Sequence, residues 1–485
     1  MIFLQKTMTF DNSYDMIAGR NEKIERSDFM QKNKVANPIT EGVIWKQLLI
    51  FFFPIVVGTL FQQLYNTVDA IIVGRFVGKE ALASVGGSAS VLVNFVIGFF
   101  TGLSAGASVI ISQFYGANDR ENMQKGLHTA YAFSIIFGVI TSIAGLILTP
   151  WLLEITKTPA DIFDDSVLYL RIYFAGMLFM LIYNIGSSIL RAIGDSKRPL
   201  YYLIVCCFIN IGLDILFVVY FHMGIAGAAI ATLIAQAVSA VLVTRALMTS
   251  CDMLKLIPQE IRIHFTLLKS EFKIGLPSGV QSCMYSLTNI VIQAAVNNFG
   301  TDTAAAWAAY GKLDAIFWTI CGSFGIAITT FAGQNYGAGL YERVKKSVRV
   351  CLLMAFGVSA VLLTFLMVAC RPLYYIFTTD PNVIDLGVYM LRLITPSYMI
   401  FIFIEIFSGA LRGIGDVFIP TLITLGGVCF IRIPWVMFIT PMRNEVSTLL
   451  YSYPVSWAAT VLLLLPYYLY QKKKRLSKSL YTEQT

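Results

Sequence analysis

Gln113-Phe-Tyr115-Gly116-Ala117 returns as Gln334-Asn-Tyr336-Gly337-Ala338, an offset of 221 (334 − 113). Leu190-Arg191-Ala-Ile-Gly194-Asp195, with Pro199 behind it, returns at the same offset as Leu411-Arg412-Gly-Ile-Gly415-Asp416 with Pro420. Leu170-Arg171 and Leu391-Arg392 keep it too. One spacing held from Gln113 to Pro199 marks an internal duplication.

The composition is that of a membrane protein. Hydrophobic residues make up 57% of the chain and charged residues 13%, with a mean hydropathy of +0.70. Such a chain cannot dress its surface for water. Twelve apolar runs are long enough to cross a hydrocarbon core: 47–73, 86–112, 127–149, 167–191, 200–221, 225–248, 272–298, 305–332, 348–370, 387–411, 418–440 and 447–470. They lack the period-2 alternation of barrel strands. The expected fold is all-α and polytopic, with both termini in the cytoplasm of a cell (plasma or inner) membrane. Lys and Arg carry the orientation: they recur in the N-terminal tail, after every second run and in Lys472-Lys-Lys-Arg475, whereas the alternate loops are acidic, as at Asp161, Asp164 and Asp380. The net charge of +8 reflects this bias and implies no nucleic-acid partner.

Six helices per copy means both copies enter the membrane from one side, as parallel repeats. The expected organisation is a cytoplasmic tail (1–46), an N-lobe (47–248), a basic linker (249–271), a C-lobe (272–470) and a second tail (471–485). Two lobes facing each other enclose a cleft that rocking exposes to each side in turn; twofold pseudo-symmetry makes a channel ring poorly. The tail holds no apolar core bounded by a cleavage site. The eight Cys and three His show no metal-ligand spacing, and His128, His222 and His264 fall at run ends. Gly102-Leu-Ser104-Ala-Gly106 fits a nucleophile pattern but lies inside an apolar run, where its glycines read as close helix packing. No Walker sequence is present, so neither ATP nor enzymatic chemistry is expected.

Carboxylates inside a bilayer need a partner or a job. Asp69 late in the first run and Asp214 two-thirds along the fifth share the outward half; Thr232 reaches a similar depth, Asn210 lies one turn below Asp214, and Asn184 is mid-helix in the fourth. Two acids in a low dielectric form a cation or proton site, and Asp69, Asn210, Asp214 and Thr232 offer oxygen ligands to Na⁺. The bland alternative is a polar cluster that only joins helices. In the second copy, Asp214 maps to Trp435, Asn210 to Ile431, Asn184 to Glu405 and, with a one-residue gap, Asp69 to Val291. The acid pair therefore exists in the first copy alone. In the second, Glu405 and Arg432 are expected to form an ion pair, with Glu405 as a second coupling acid the sharper reading. Lys312, Asp314 and Gln281 face the cleft or its rim. Pro54 reads as a static kink or a hinge, with Pro277 its approximate repeat mate. The Gly-Asp turns should end one helix at Gly194 and cap the next with Asp195.

Pro54 followed by Gln62-Gln63-Leu-Tyr-Asn-Thr-Val-Asp69, together with both duplicated motifs and Asn210-Ile-Gly-Leu-Asp214, resembles the multidrug and toxin extrusion (MATE) transporters over residues 45–470. The acidic pattern is most similar to the bacterial DinF-like branch. The resemblance implies two V-shaped six-helix lobes and a monomeric antiporter, among membrane lipids, that exports cationic, amphipathic small molecules in exchange for H⁺ or Na⁺. It implies that Asp69, Asn184, Asn210, Asp214 and Thr232 build the coupling site, with a backbone carbonyl near Ala228, and favours a hinge at Pro54. No other cofactor is implied. The alternative is a flippase for a lipid-linked saccharide or peptidoglycan precursor, which the twelve runs and few intramembrane Lys or Arg disfavour.

Overall fold

The computed structural model describes residues 37–250 and 253–476; the rest of the two tails and residues 251–252 of the linker lie outside it. The described residues are mostly helical, and none of them lies in a strand. In chain order the spans are α1 (Ile44–Phe76), α2 (Ser88–Gly116, led in by a short helix Lys79–Gly86), α3 (Arg120–Ile155) and α4 (Ala160–Ala175 and Met177–Ala192). They continue with α5 (Lys197–Tyr220) and α6 (Gly224–Met248), α7 (Phe265–Asn297), α8 (Thr301–Gly337) and α9 (Tyr341–Val368). Last come α10 (Pro381–Gly413), α11 (Phe418–Arg443) and α12 (Val446–Leu476). Among the described residues ten helices are long and apolar enough to cross a membrane, and α4 makes an eleventh as a pair bent by 47°. The exception, α7, has the length but carries Ser278, Gln281, Ser282, Asn289 and Gln293. It lines the interface between lobes, where polar side chains escape lipid.

The duplicated turns work locally as their sequence requires. Gly194 and Gly415 leave their helices at φ +93° and +82°, a conformation that costs glycine little. Asp195 then accepts from the Lys197 and Arg198 amides, both at 3.1 Å, and caps α5. The second copy departs from this: Asp416 accepts from the Tyr467 hydroxyl at 2.7 Å. His128 does not mark a helix end. It is buried in α3, bonds the Gln124 carbonyl through Nδ1 at 2.8 Å and accepts from the Ile257 amide at Nε2. It thereby pins the linker to the N-lobe.

Among the described residues two large cores form, one per lobe, with a small cluster of Val109, Ile274 and Val417 between them, and the first helix of each repeat crosses between the two. Met123, Leu127, Leu170, Met177 and Val243 belong to the first core; Phe317, Phe331, Tyr374 and Trp457 belong to the second. Yet Leu48, Phe51 and Phe52 at the start of α1 are buried in the second core, with Phe52 stacked on Phe324 at 4.1 Å. Reciprocally, Leu268 and Phe272 at the start of α7 pack on the first, Phe272 meeting Phe133 edge-on at 5.1 Å. Further along, α1 contributes Ile72 and Val73 to its own lobe, and α7 contributes Ile292 and Val296 to its own. Pro54 and Pro277 lie in the crossing regions, inside continuous helices.

Lipid tails are as apolar as leucine, so helix association in a bilayer rests on close packing. Along α2 and α7 that closeness comes from glycine. A Cβ on Gly102 would lie 2.5 Å from the Gly279 nitrogen, one on Gly106 2.2 Å from the Glu271 carbonyl, and one on Gly275 2.4 Å from that of Leu103. Nearer the basic loops, Gly116 and Gly337 press on the Gln334 and Gln113 carbonyls, at 1.9 and 2.0 Å from a would-be Cβ. Gly337→Ala should therefore destabilise the protein by about 1–3 kcal/mol, as overpacking does. Gly311→Ala, with no atom within 4 Å of its Cβ, should be neutral or stabilising by up to about 1 kcal/mol. Thermal unfolding in detergent checks both, and equal midpoints for the two variants would contradict the tight seam.

Candidate functional site

The duplicated motifs meet each other. Gln113 of α2 donates its amide to the Gly413 carbonyl at 2.8 Å, and Gln334 of α8 donates to the Ala192 carbonyl at 2.6 Å. Ala192 and Gly413 are repeat mates at the ends of α4 and α10. Each lobe thus offers a glutamine to a helix C-terminal carbonyl of the other, a group that has no acceptor duty left within its own helix. The clasp lies at the end of the bundle that carries the basic loops. Residues before α1 reinforce it on one side only: Asn37 donates to Gln334 Oε1 at 2.9 Å, and Arg343 holds the Ile39 and Gly42 carbonyls. Toward the opposite end a groove of about 580 Å³ opens between α1 and α8, lined by Gln63, Asn66, Arg75, Lys79 and Lys312 among others.

Largely within the N-lobe, and touched by Ile326 of α8, lies a cavity of about 260 Å³ lined in part by Pro54, Tyr65, Asn184, Asn210, Thr232 and Gln236. Asn210 donates to the Thr232 hydroxyl at 3.5 Å, and Asn184 donates back to the Met180 carbonyl at 3.0 Å. Asp214 is fully buried one turn beyond Asn210, and Asp69 is 9% exposed. The two carboxylates lie close enough to feel each other's charge, with Tyr169 coupled to both. Neither oxygen of Asp214 has a hydrogen-bond partner, nor do Asp69 Oδ1 and Asn210 Oδ1. Ala228 is fully buried one turn before Thr232 in α6, its carbonyl engaged in the helix but with a second lone pair to offer. Asn184, Asn210 and Thr232 therefore share one cavity wall, while Asp69 and Asp214 are buried in the same lobe, off that lining, with acceptor oxygens left unmatched.

Sequence reading missed one feature here. The α-helical part of α5 stops at Asp214 and continues as a π turn, Ile215–Tyr220. Its repeat mate α11 does the same at Trp435–Ile439. Such turns widen the helix and occur preferentially at functional positions. No residue type announces one.

The C-lobe expectation needs correction. No ion pair joins Glu405 to Arg432. Arg432 donates to the Ser456 hydroxyl at 2.8 Å and lies over the Tyr453 ring at 4.0 Å. Aromatic faces and a hydroxyl take the role expected of a carboxylate. Glu405 instead rests against Gly325, where a Cβ would come within 1.9 Å of its Oε1, and the charge nearest in influence is Arg412. Asp314 is turned into the lobe, accepting from Trp318 at 2.6 Å and from the Tyr398 hydroxyl. Lys312 lines the interlobe groove, and Gln281 donates to Tyr285 at 3.1 Å.

Two pseudo-symmetric helical lobes, clasped at one end around a cleft, with a polar chamber in one lobe, define a secondary transporter rather than an enzyme. The MatE family profile matches residues 54–216 and 277–438. The chain belongs to that family, the multidrug and toxin extrusion transporters. The probable multidrug resistance protein YoeA of Bacillus subtilis (strain 168) is 28% identical over 453 residues, covering 92% of this chain and 98% of that protein. YpnP of the same organism, also a probable multidrug resistance protein, is 27% identical over 402 residues, covering 82% and 89%. An outward-facing structure of a multidrug resistance MATE family transporter superposes with a TM-score of 0.84 at 21% identity, covering 92% of this chain and 99% of that one.

Loss of either glutamine should loosen the clasp. Gln113→Ala or Gln334→Ala is expected to favour separation at this end by about 0.5–1.5 kcal/mol, one hydrogen bond's net contribution. Spin labels at Lys197 and Phe418, in a cysteine-replaced background, report the separation; an unchanged distance distribution in the double variant would refute the clasp.

Proposed function

We propose that the protein is an ion-coupled antiporter that exports amphipathic organic cations. The observation that carries this reading is the set of unmatched oxygens on Asp69, Asp214 and Asn210, all buried in the N-lobe, where Asn210 also lines the cavity. A carboxylate pair deprived of water and of a counter-charge is stabilised by taking up a proton or Na⁺. Asp69, Asn210, Asp214 and Thr232 form the ion's ligand set, with Asn184 and the Ala228 carbonyl around it. The acidic pattern is that of the DinF-like branch. The clasp at the basic-loop end, which the positive-inside bias puts in the cytoplasm, makes this an outward-facing arrangement.

Coupling follows from differential affinity. In the outward arrangement the chamber communicates with the medium of higher ion potential and loads. Loading neutralises Asp69 and Asp214, changes how α1 packs on α5, and Pro54 gives α1 a weak point at which to bend. The exported molecule leaves as the chamber's charge is filled, the clasp opens, and the ion is released to the cytoplasm. Tyr65, Tyr173 and Tyr183 in the cavity wall, with Met180, suit planar, weakly hydrated cations. The names of the relatives, multidrug resistance proteins, accord with this substrate class.

Proteoliposomes loaded with a fluorescent organic cation and given an imposed Na⁺ or pH gradient test it. Wild type should move the cation against its gradient only when one of the two is applied. Asp69→Asn and Asp214→Asn should each cut gradient-driven transport by roughly tenfold or more. Full transport in both variants, or wild-type transport indifferent to both gradients, would sink the proposal.

A further inference from the structure

We propose that Glu271 is a second proton-binding site, set in the seam between the lobes, which holds its proton while the seam is closed and releases it when the seam opens. It goes beyond the coupling pair and shares with that reading only the rocking of two lobes. Glu271 lies on α7, one turn before Gly275, with its own carbonyl pressed on Gly106 of α2. It is 5% exposed, and its Oε1 is buried without a hydrogen-bond partner. Seven residues along α2 from Gly106 comes Gln113 of the clasp, about 10 Å at helical rise. The acid is therefore sealed just inside the closed end.

Its repeat mate shows that structure alone does not call for an acid there. Aligned on Pro54 and Pro277, Glu271 corresponds to Leu48, which is completely buried in the opposite core. A leucine serves the crossing of α1; a carboxyl serves that of α7. The charged or titratable groups on the elements around it are few. Lys269 and Lys273 on α7 are exposed. On α3, Lys125 pairs with Glu121 and His128 holds the linker. At the head of α11, Asp416 is held by Tyr467. The facing residues of α2, from Leu103 to Gln113, carry no charge. No ion pair with Glu271 occurs among the described residues, so a proton is what makes its burial tolerable.

The sign is determined by geometry. A closed seam favours the neutral acid, and an open seam, wetted from the basic-loop side, favours the carboxylate. Alkaline conditions on that side thus open the seam, and acid closes it. Because the proton is taken and returned on the same side, Glu271 gates the cycle without adding to the transported charge.

The test uses the full chain in nanodiscs, without Na⁺ or organic substrate, with the spin-label pair at Lys197 and Phe418. From about pH 6 to about pH 9 the open-to-closed ratio of wild type should rise by up to tenfold per pH unit, the slope of a single proton. Glu271→Gln, and Glu271→Leu copying the repeat mate, should stay closed and lose the dependence. The isosteric Gln variant carries the test should the Leu variant not fold. Asp69→Asn/Asp214→Asn should keep the dependence. A pH-independent wild type, or an unaltered response in Glu271→Gln, overturns the proposal. A response lost only in the double Asp variant overturns it too, while favouring the coupling pair. Transport indifferent to both Asp residues alongside an intact Glu271 response would sink the antiport reading and leave this one standing.

Discussion

Everything in this molecule depends on two backbones being allowed to touch across a pseudo-twofold axis. In a bilayer no hydrophobic force gathers helices, so lobes that must hold and release each other need short-range contacts that are all present or all absent. Glycines on α2, α7 and α8 bring the chains within van der Waals range, and at that range Gln113 and Gln334 reach carbonyls of the opposite lobe. Polar bonds of this kind are modest singly. Arranged reciprocally and sealed together they give a two-state contact, which is the element an alternating-access carrier needs.

The lobes share a scaffold but differ in charge. The N-lobe encloses carboxylates with unmatched oxygens; the C-lobe buries a guanidinium against aromatic rings. Duplication preserved what positions helices, namely the Gly-Asp exits, the glutamines and the π turns. The interior of each copy was free to diverge because the contact between lobes does not involve it. The cavity touches α1 at Pro54 and Tyr65 and the seam helix α2 at Ile97 and Thr101, and α1 has its first turns in one core and its last turns in the other.

Much of the fold was legible in the chain because membrane helices must be long and apolar, and twelve such runs stand apart from their loops. The helices prove longer than the runs, as at Phe265–Asn297 and Thr301–Gly337, because their polar ends leave the hydrocarbon and escape a hydropathy reading. The burial of Asp69 and Asp214 was legible for the same reason, since both acids stand within apolar runs. Three features were not. The Glu405–Arg432 pair was inferred from depth alone, and depth carries no azimuth: Arg432 turns to Tyr453 instead. Glu271 looked like part of a basic linker because Lys269 and Lys273 flank it, while the helix turns it inward. The glutamines of the repeated motif gave no sign of reaching across the molecule, since a sequence offset states equivalence and not contact.

The crossing of α1 and α7 bears on ancestry. Each half lends its opening turns to the core of the other, as in a domain-swapped dimer whose protomers were later joined by a linker. A six-helix half standing alone would leave Leu48 and its neighbours, which the opposite core buries, uncovered unless a second copy supplied that core. Joined in one chain, each half always has the other's core at hand, and the two interiors can differ without losing that hold.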